Sequence, residues 1–181
     1  MSIPSPQYPP HFPPAQGLYA PDQERDACGV GFICNLNGQA SHSIIHQAME
    51  ILVRLTHRGA ESADNRTGDG AGVLIQIPDA FFRRVTKDIC IDLPKAGRYG
   101  TGLVFLPKDE QDTAKIKARF EQEIAESGQQ FLGWRKVPVN REVLGEMAAE
   151  SEPAMEQVFI GMGDNVEDQR AFEREMYIIR K

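Results

Sequence analysis

Cysteine is scarce in this 181-residue chain: Cys28, Cys34 and Cys90 are three, irregularly spaced, and make no disulfide framework. Such sparse use fits a reducing compartment, where one thiol can stay free to react. Long apolar runs are missing too. None approaches the ~20 residues that a membrane helix needs. The first residues lack the basic and apolar regions of a secretory signal. Basic excess is absent: the net charge is −6, which argues against nucleic acid and against anionic membrane surfaces. A cytoplasmic protein without nucleic-acid or membrane partners is therefore expected. Its 41% hydrophobic and 25% charged residues are ordinary for a globular domain, and the length suits one domain or a piece of a larger one.

Proline, by contrast, is concentrated. Pro4, Pro6, Pro9, Pro10, Pro13, Pro14 and Pro21 crowd residues 1–27 and remove the backbone donors that helices and ladders require. That stretch reads as an extended, disordered leader, and 28–181 as the folded portion. Cys28 to Leu36 reads as a strand turning at Asn37-Gly38. A helix is expected from about Ser43 to Arg58, with Ile45, Ala48, Met49, Leu52 and Leu55 on one face and Gly59 as its cap. Residues 61–72 form a polar, glycine-rich loop. Val73 to Ile77 reads as a short strand, and Asp79 as the cap of a helix carrying Phe82 and Val85. Further strands are expected at Tyr99–Leu106, Phe131–Val139, Met155–Ile160 and Tyr177–Ile179. Helices are expected from Asp109 to Gly128 and over Glu167–Glu175. Loose alternation with short links favours an α+β layered sandwich.

The chemistry centres on Cys28. It directly follows the leader and opens the run Cys28-Gly29-Val30-Gly31. Cleavage before it would place a thiol and a free α-amine on one residue. The amine, with an ordinary pKa near ~8, could serve as base to the sulfur. A buried core cysteine is the competing reading. Gly29 and Gly31 favour the nucleophile, because they leave room for a substrate against the backbone. A redox role would need a resolving partner, and Cys34 is too far along one extended strand to pair directly. Gly29-Val30-Gly31 lacks the third glycine and the following helix of a dinucleotide loop. Thr67-Gly68-Asp69-Gly70-Ala71-Gly72 lacks the Lys-Ser/Thr pair of a phosphate cradle; it is a tight turn or a substrate-site loop. His42 and His46 have zinc-like spacing without a third ligand, so no metal is expected. Cys34 and Cys90 look structural. His57-Arg58-Gly59 reads either as a cationic helix end with its cap or as the border of a carboxylate pocket, which a guanidinium suits.

Together these residues resemble a known family. The segments Asp26-Ala27-Cys28-Gly29-Val30-Gly31-Phe32, His57-Arg58-Gly59-Ala60 and Thr67-Gly68-Asp69-Gly70-Ala71-Gly72 look like the start of the glutamate synthase large subunit. That start is a class II glutamine amidotransferase domain. Leu132-Gly133-Trp134-Arg135-Lys136-Val137-Pro138-Val139, Gln157-Val158-Phe159-Ile160 and Tyr177-Ile178-Ile179-Arg180-Lys181 extend the likeness. The resemblance implies the four-layer αββα sandwich of N-terminal-nucleophile hydrolases, here incomplete. It implies a propeptide over residues 1–27, removed at Ala27–Cys28. It implies hydrolysis of L-glutamine by Cys28 through a γ-glutamyl thioester, with Arg58 and Gly59 lining the substrate pocket. The ammonia would serve reductive amination of 2-oxoglutarate elsewhere in the parent enzyme. No cofactor is implied for this segment. FMN and an iron–sulfur cluster belong to the complete large subunit, whose remainder, with a small reductase subunit or ferredoxin, is the implied partner. The family's domain is longer than this chain, so the stretch alone is expected to be a fragment without useful glutaminase activity. Another class II amidotransferase, or a non-catalytic module that keeps the fold, are the alternatives.

Overall fold

A computed structural model describes residues 29–56, 59, 64, 66–68 and 70–181. The leader 1–27, Cys28 and Arg58 lie outside the described residues. The fold divides into two compact units, one drawn from within Met1–Ser62 and Gly68–Val73, the other from Ala63–Thr67 and Leu74–Lys181.

The first unit is built on helix α1, His42–Arg54. Ile44, Ile45, Ala48, Ile51, Leu52 and Leu55 are its half-buried stripe, at the spacing that aligns residues on one helical face. Glu50 and Arg54, one turn apart on the outer side, form an ion pair at 2.6 Å. The helix stops earlier than the expected Arg58, because the chain tightens after Arg54. Leu55 N–H is shared between the carbonyls of Ile51 and Leu52, and the Thr56 hydroxyl bonds back to the Val53 carbonyl. The turn at Asn37-Gly38 is present. Gly38 has φ +68°, its N–H donates to Asn35 O, and Asn35 Oδ1 accepts from Asn37 N at 2.8 Å.

Two expected strands are absent. Residues 29–36 and 73–77 run without regular structure, and Val30, Phe32, Leu36 and Leu74 are exposed. An apolar run signals a tendency to be buried but does not supply a pairing partner, and among the described residues neither stretch has a ladder neighbour.

The second unit holds a three-stranded antiparallel sheet in the order β1-β3-β2. Strand β1 is Tyr99–Leu106, β2 is Gln130–Lys136 and β3 is Ala154–Gly161. Tyr99 pairs with Gly161 and Leu106 with Ala154, so the outer strands flank β3 along its length. A register shift between Phe131 and Gly133 bends β2. Because side chains alternate across a strand, β3 supplies both faces of the core. Val158 and Ile160 pack with Ile124, Phe172 and Ile179 of helices α3, Glu110–Glu126, and α5, Gln169–Ile179. Phe159, fully buried, points the other way onto Phe82, Ile91 and Tyr99; its ring meets that of Phe82 edge-on at 5.3 Å. Phe82 belongs to helix α2, Asp79–Lys87.

Local signals fix the long helix. Asp109 caps α3 through Oδ1, which accepts from Asp112 N at 2.8 Å. At the other end Gly128 takes φ +75°, and the Gln129 and Gly128 amides return to the carbonyls of Ile124 and Ala125, a Schellman closure. Asp168 caps α5 in the same manner as Asp109 caps α3. Two expectations fail nearby. Tyr177–Ile179, expected as a strand, is the last turn of α5, because Phe172, Met176 and Ile179 lie on one helical face against the core while Tyr177 and Ile178 are exposed. Asp79 does not cap α2. It lies inside the helix, and its carboxylate takes Arg83 Nε at 2.9 Å and the Tyr99 hydroxyl at 3.0 Å. Arg83 carries on to the carbonyls of Leu93 and Pro94. Short helical turns at Arg141–Val143 and at Glu146–Ser151, the latter α4, precede β3. No described helix is long and apolar enough to cross a membrane.

Candidate functional site

Of the three candidate residues, Gly59 alone lies among those described; Cys28 and Arg58 do not. The residues that follow Cys28 are placed. Gly29 to Phe32 run as exposed chain beside α1 within the first unit, and Ile33 is half-buried. A methyl group on Gly31 would sit 2.5 Å from Ile51 Cγ2. Gly31 therefore lets the chain pass close against α1 at Ile51. This modifies the expectation that both early glycines make space for a substrate: at Gly31 the space is filled by Ile51.

Gly59 is exposed, and its N–H donates to the Thr56 carbonyl at 3.1 Å. It is not the C-cap of α1, a position held by Leu55. A Cβ at Gly59 would meet only Thr56 O, at 3.5 Å, an ordinary contact, and its φ is not left-handed. The local fold does not demand glycine there.

The remaining candidates resolve simply. His42 and His46 are both exposed on α1, with rings 4.6 Å apart edge-on. Among the described residues no three His, Cys, Asp or Glu side chains converge as a metal site. Cys34 and Cys90, expected to be structural, are exposed free thiols; Cys90 ends a turn with φ +56° and contributes nothing to the core. The glycine-rich run leads from Gly70, at φ +82°, into unpaired chain rather than a helix, which is incompatible with a helix-based phosphate cradle.

One arrangement was not legible in the sequence. Asp64, in the polar loop, accepts from the Thr67 hydroxyl at 2.5 Å, Thr67 N at 2.8 Å and Arg66 N at 3.1 Å. Its Oδ2 also faces Met147 N, 3.4 Å away in the first turn of α4. Arg66 Nη2 reaches the Glu142 carbonyl at 3.4 Å. These donors favour the charged carboxylate, with Thr67 the largest contributor, and hold Asp64 well below the usual carboxylate range. The N-cap of α4 is Gly145, where a Cβ would collide with Thr67 Oγ1 and lie 2.6 Å from Asp64 Oδ2. No sequence signal short of pairing Asp64 with Gly145 would have found this contact.

The second cluster of shifted groups is structural. Tyr99 is buried, and desolvation, aided by its bond to Asp79, pushes its hydroxyl up to about 12. Arg83 holds Asp79 below its ordinary value. The three tie α2 to the start of β1.

Comparison with known proteins defines the class. The family of class-II glutamine amidotransferases matches residues 28–181, and the chain belongs to that family. Within it the similarity is to glutamate synthases. The Glutamate synthase [NADPH] large chain of Bacillus subtilis (strain 168) is 47% identical over 170 residues, covering 94% of this chain and 11% of that protein. Glutamate synthase [NADH] of Saccharomyces cerevisiae is 42% identical over 179 residues, covering 94% of this chain and 8% of that protein. Ferredoxin-dependent glutamate synthase 2 of Synechocystis is 39% identical over 158 residues, covering 87% and 10%. The chain thus spans about a tenth of the length of each of these relatives.

Proposed function

We propose that this chain is the nucleophile-bearing part of the glutaminase domain of a glutamate synthase, in the cytoplasm, and that Cys28 becomes its N-terminal residue. One observation carries the reading: the family match begins at residue 28, on the cysteine itself, and leaves out the proline-rich residues before it. Residues 1–27 are then the propeptide and 28–181 part of a four-layer αββα sandwich.

In this reading the Cys28 thiol attacks the side-chain carbonyl carbon of glutamine while its proton passes to the freed α-amine. The tetrahedral adduct collapses to a γ-glutamyl thioester as that proton moves to the departing nitrogen, which leaves as ammonia. Water then adds to the thioester with the amine as base, and glutamate and the thiol are released. Arg58 pairs with the substrate carboxylate. Gly59 keeps the wall of the pocket free of a side chain, and the absence of any local need for glycine there supports this role.

The ammonia is consumed by reductive amination in the remainder of the large subunit, driven by a small reductase subunit or by ferredoxin. FMN and the iron–sulfur cluster of that reaction do not fit the described residues, which offer neither a converging set of cysteines nor a helix after the glycine-rich run.

The test is incubation of the full-length gene product with a diazoketone analogue of glutamine, followed by peptide mass spectrometry. Covalent attachment at Cys28, blocked by excess glutamine, supports the assignment. Attachment elsewhere, or none, favours a non-catalytic module.

A further inference from the structure

Strands β1 and β2 are the two edges of the sheet, and they are finished differently. β2 carries a register shift, Arg135 and Lys136, devices that keep a free edge from pairing. β1 has no charged residue, no proline and no break in its register with β3. Leu103 and Phe105 stand 56% and 66% exposed on it. Bonds beside the strands set the parity of the ladder. Met162 N donates to Arg98 O at 2.9 Å, and on the other flank Val137 N donates to Met155 O at 3.2 Å. Bonding in an antiparallel ladder alternates residue by residue. Gly100, Gly102 and Val104 therefore bond to β3, while the amides and carbonyls of Thr101, Leu103 and Phe105 point to the outer edge. Among the described residues no backbone bond outside the ladder uses those three.

The connections say what belongs at that edge. β1 and β2 are both antiparallel to β3 between them, hence parallel to each other, and α3 joins them. Helices α3 and α5 pack on one face of β3 through Ile124, Phe172 and Ile179. Crossovers between parallel strands share one hand. β3 runs opposite to β1, so a crossover of that hand through α5, on the same face, leads away from β2 to the far side of β1. This is the split β-α-β-β-α-β pattern.

We propose that the outer edge of β1 docks one extended strand, antiparallel to β1, from the part of the large subunit that follows α5. The source rests on the reading of this chain as part of a glutamate synthase. The edge defines the partner's chemistry. Its backbone must meet Thr101, Leu103 and Phe105, and its alternate side chains must be apolar to cover Leu103 and Phe105. Main-chain bonds supply the attachment, and the alternate side chains supply the register.

Hydrogen exchange at single-residue resolution, on the 181-residue chain and on the full-length gene product, tests this without any substitution. In the full-length protein the amides of Thr101, Leu103 and Phe105 should exchange at least ~10-fold more slowly than in the 181-residue chain. Gly102 and Val104 should be slow in both, because β3 already holds them. Equal rates at the three outer amides overturn the proposal, and fast exchange at Gly102 and Val104 overturns the parity beneath it. Protection that rises with protein concentration in the 181-residue chain assigns the edge to a second copy and overturns the source. Leu103→Pro removes only an outward donor. In the full-length protein it should speed exchange at Thr101 and Phe105 about tenfold while Gly102 and Val104 stay slow. Unchanged Thr101 and Phe105 would mean that the edge is covered without being paired, which also overturns the proposal. Labelling at Cys28 is a separate outcome: a full-length protein unlabelled there but slow at the three outer amides loses the nucleophile assignment and keeps the docked strand.

Discussion

Replacing Gly128 by alanine tests the account of how α3 is joined to the core. Gly128 takes φ +75°, where an L side chain costs ~1–2 kcal/mol. Its new methyl would also lie 2.7 Å from Asn165 Nδ2 and 2.9 Å from Asn165 Cγ, so Asn165 must move. Asn165 donates to Ser127 O at 2.9 Å and accepts from Gln129 Nε2 at 3.1 Å, and each bond contributes ~0.5–1.5 kcal/mol. The total loss is about 2–5 kcal/mol, a large part of the ~5–15 kcal/mol that holds a domain together. Urea unfolding followed by Trp134 fluorescence is the assay. Trp134 is the only tryptophan, and its Nε1 donates to Glu121 of α3 at 2.7 Å. The midpoint should fall by ~1–2 M with an unchanged slope. In the Gly128→Ala background, adding Asn165→Ala should cost much less than it does alone, because its bonds are already lost. A loss below ~0.5 kcal/mol, or full additivity of the two substitutions, would refute the reasoning.

Gly59→Ala should behave in the opposite way. With no clash and no left-handed φ, unfolding should be unaffected or up to ~1 kcal/mol harder. Labelling of Cys28 by the glutamine analogue should nevertheless weaken, and unchanged labelling would remove Gly59 from the pocket. Phe159→Ala empties the fully buried side of β3 and should cost ~3–5 kcal/mol in the same urea titration. Tyr99 should ionise late, near pH 12. Its pKa is raised in the folded state, so its contribution to stability is complete below the ordinary tyrosine value of 10 and is lost as pH climbs from there towards 12. Ultraviolet absorbance at high pH should show that late step move to lower pH when Asp79→Asn removes the partner carboxylate, yet stay above the ordinary tyrosine value because burial, the larger cause, remains.

Elements with their own punctuation were legible in the sequence. β1 ends where Pro107 follows Leu106, and α3 is bounded by an Asp109 cap and Gly128, so local chemistry decided both. Elements that depend on a partner were not. The apolar runs at 29–36 and 73–77 have strand-like composition but no neighbour to pair with among the described residues. Tyr177–Ile179 was too short a run to reveal its period, and only the core-facing row Phe172, Met176 and Ile179 makes it helical. Asp79 offered the chemistry of a cap, but Arg83 and Tyr99 took its oxygens. For the site, the family was readable because Cys28-Gly29 and His57-Arg58-Gly59 are contiguous motifs, as the match over 28–181 bears out. The Asp64–Gly145 contact joins distant parts of the chain and has no sequence motif.

The central claim is that sulfur and amine come to share one terminal residue. Edman sequencing or intact mass of the mature full-length gene product, alongside ammonia release from glutamine, tests it most directly. Active protein should begin with Cys28. Material that still carries Met1 or Ser2 yet releases ammonia from glutamine would contradict it.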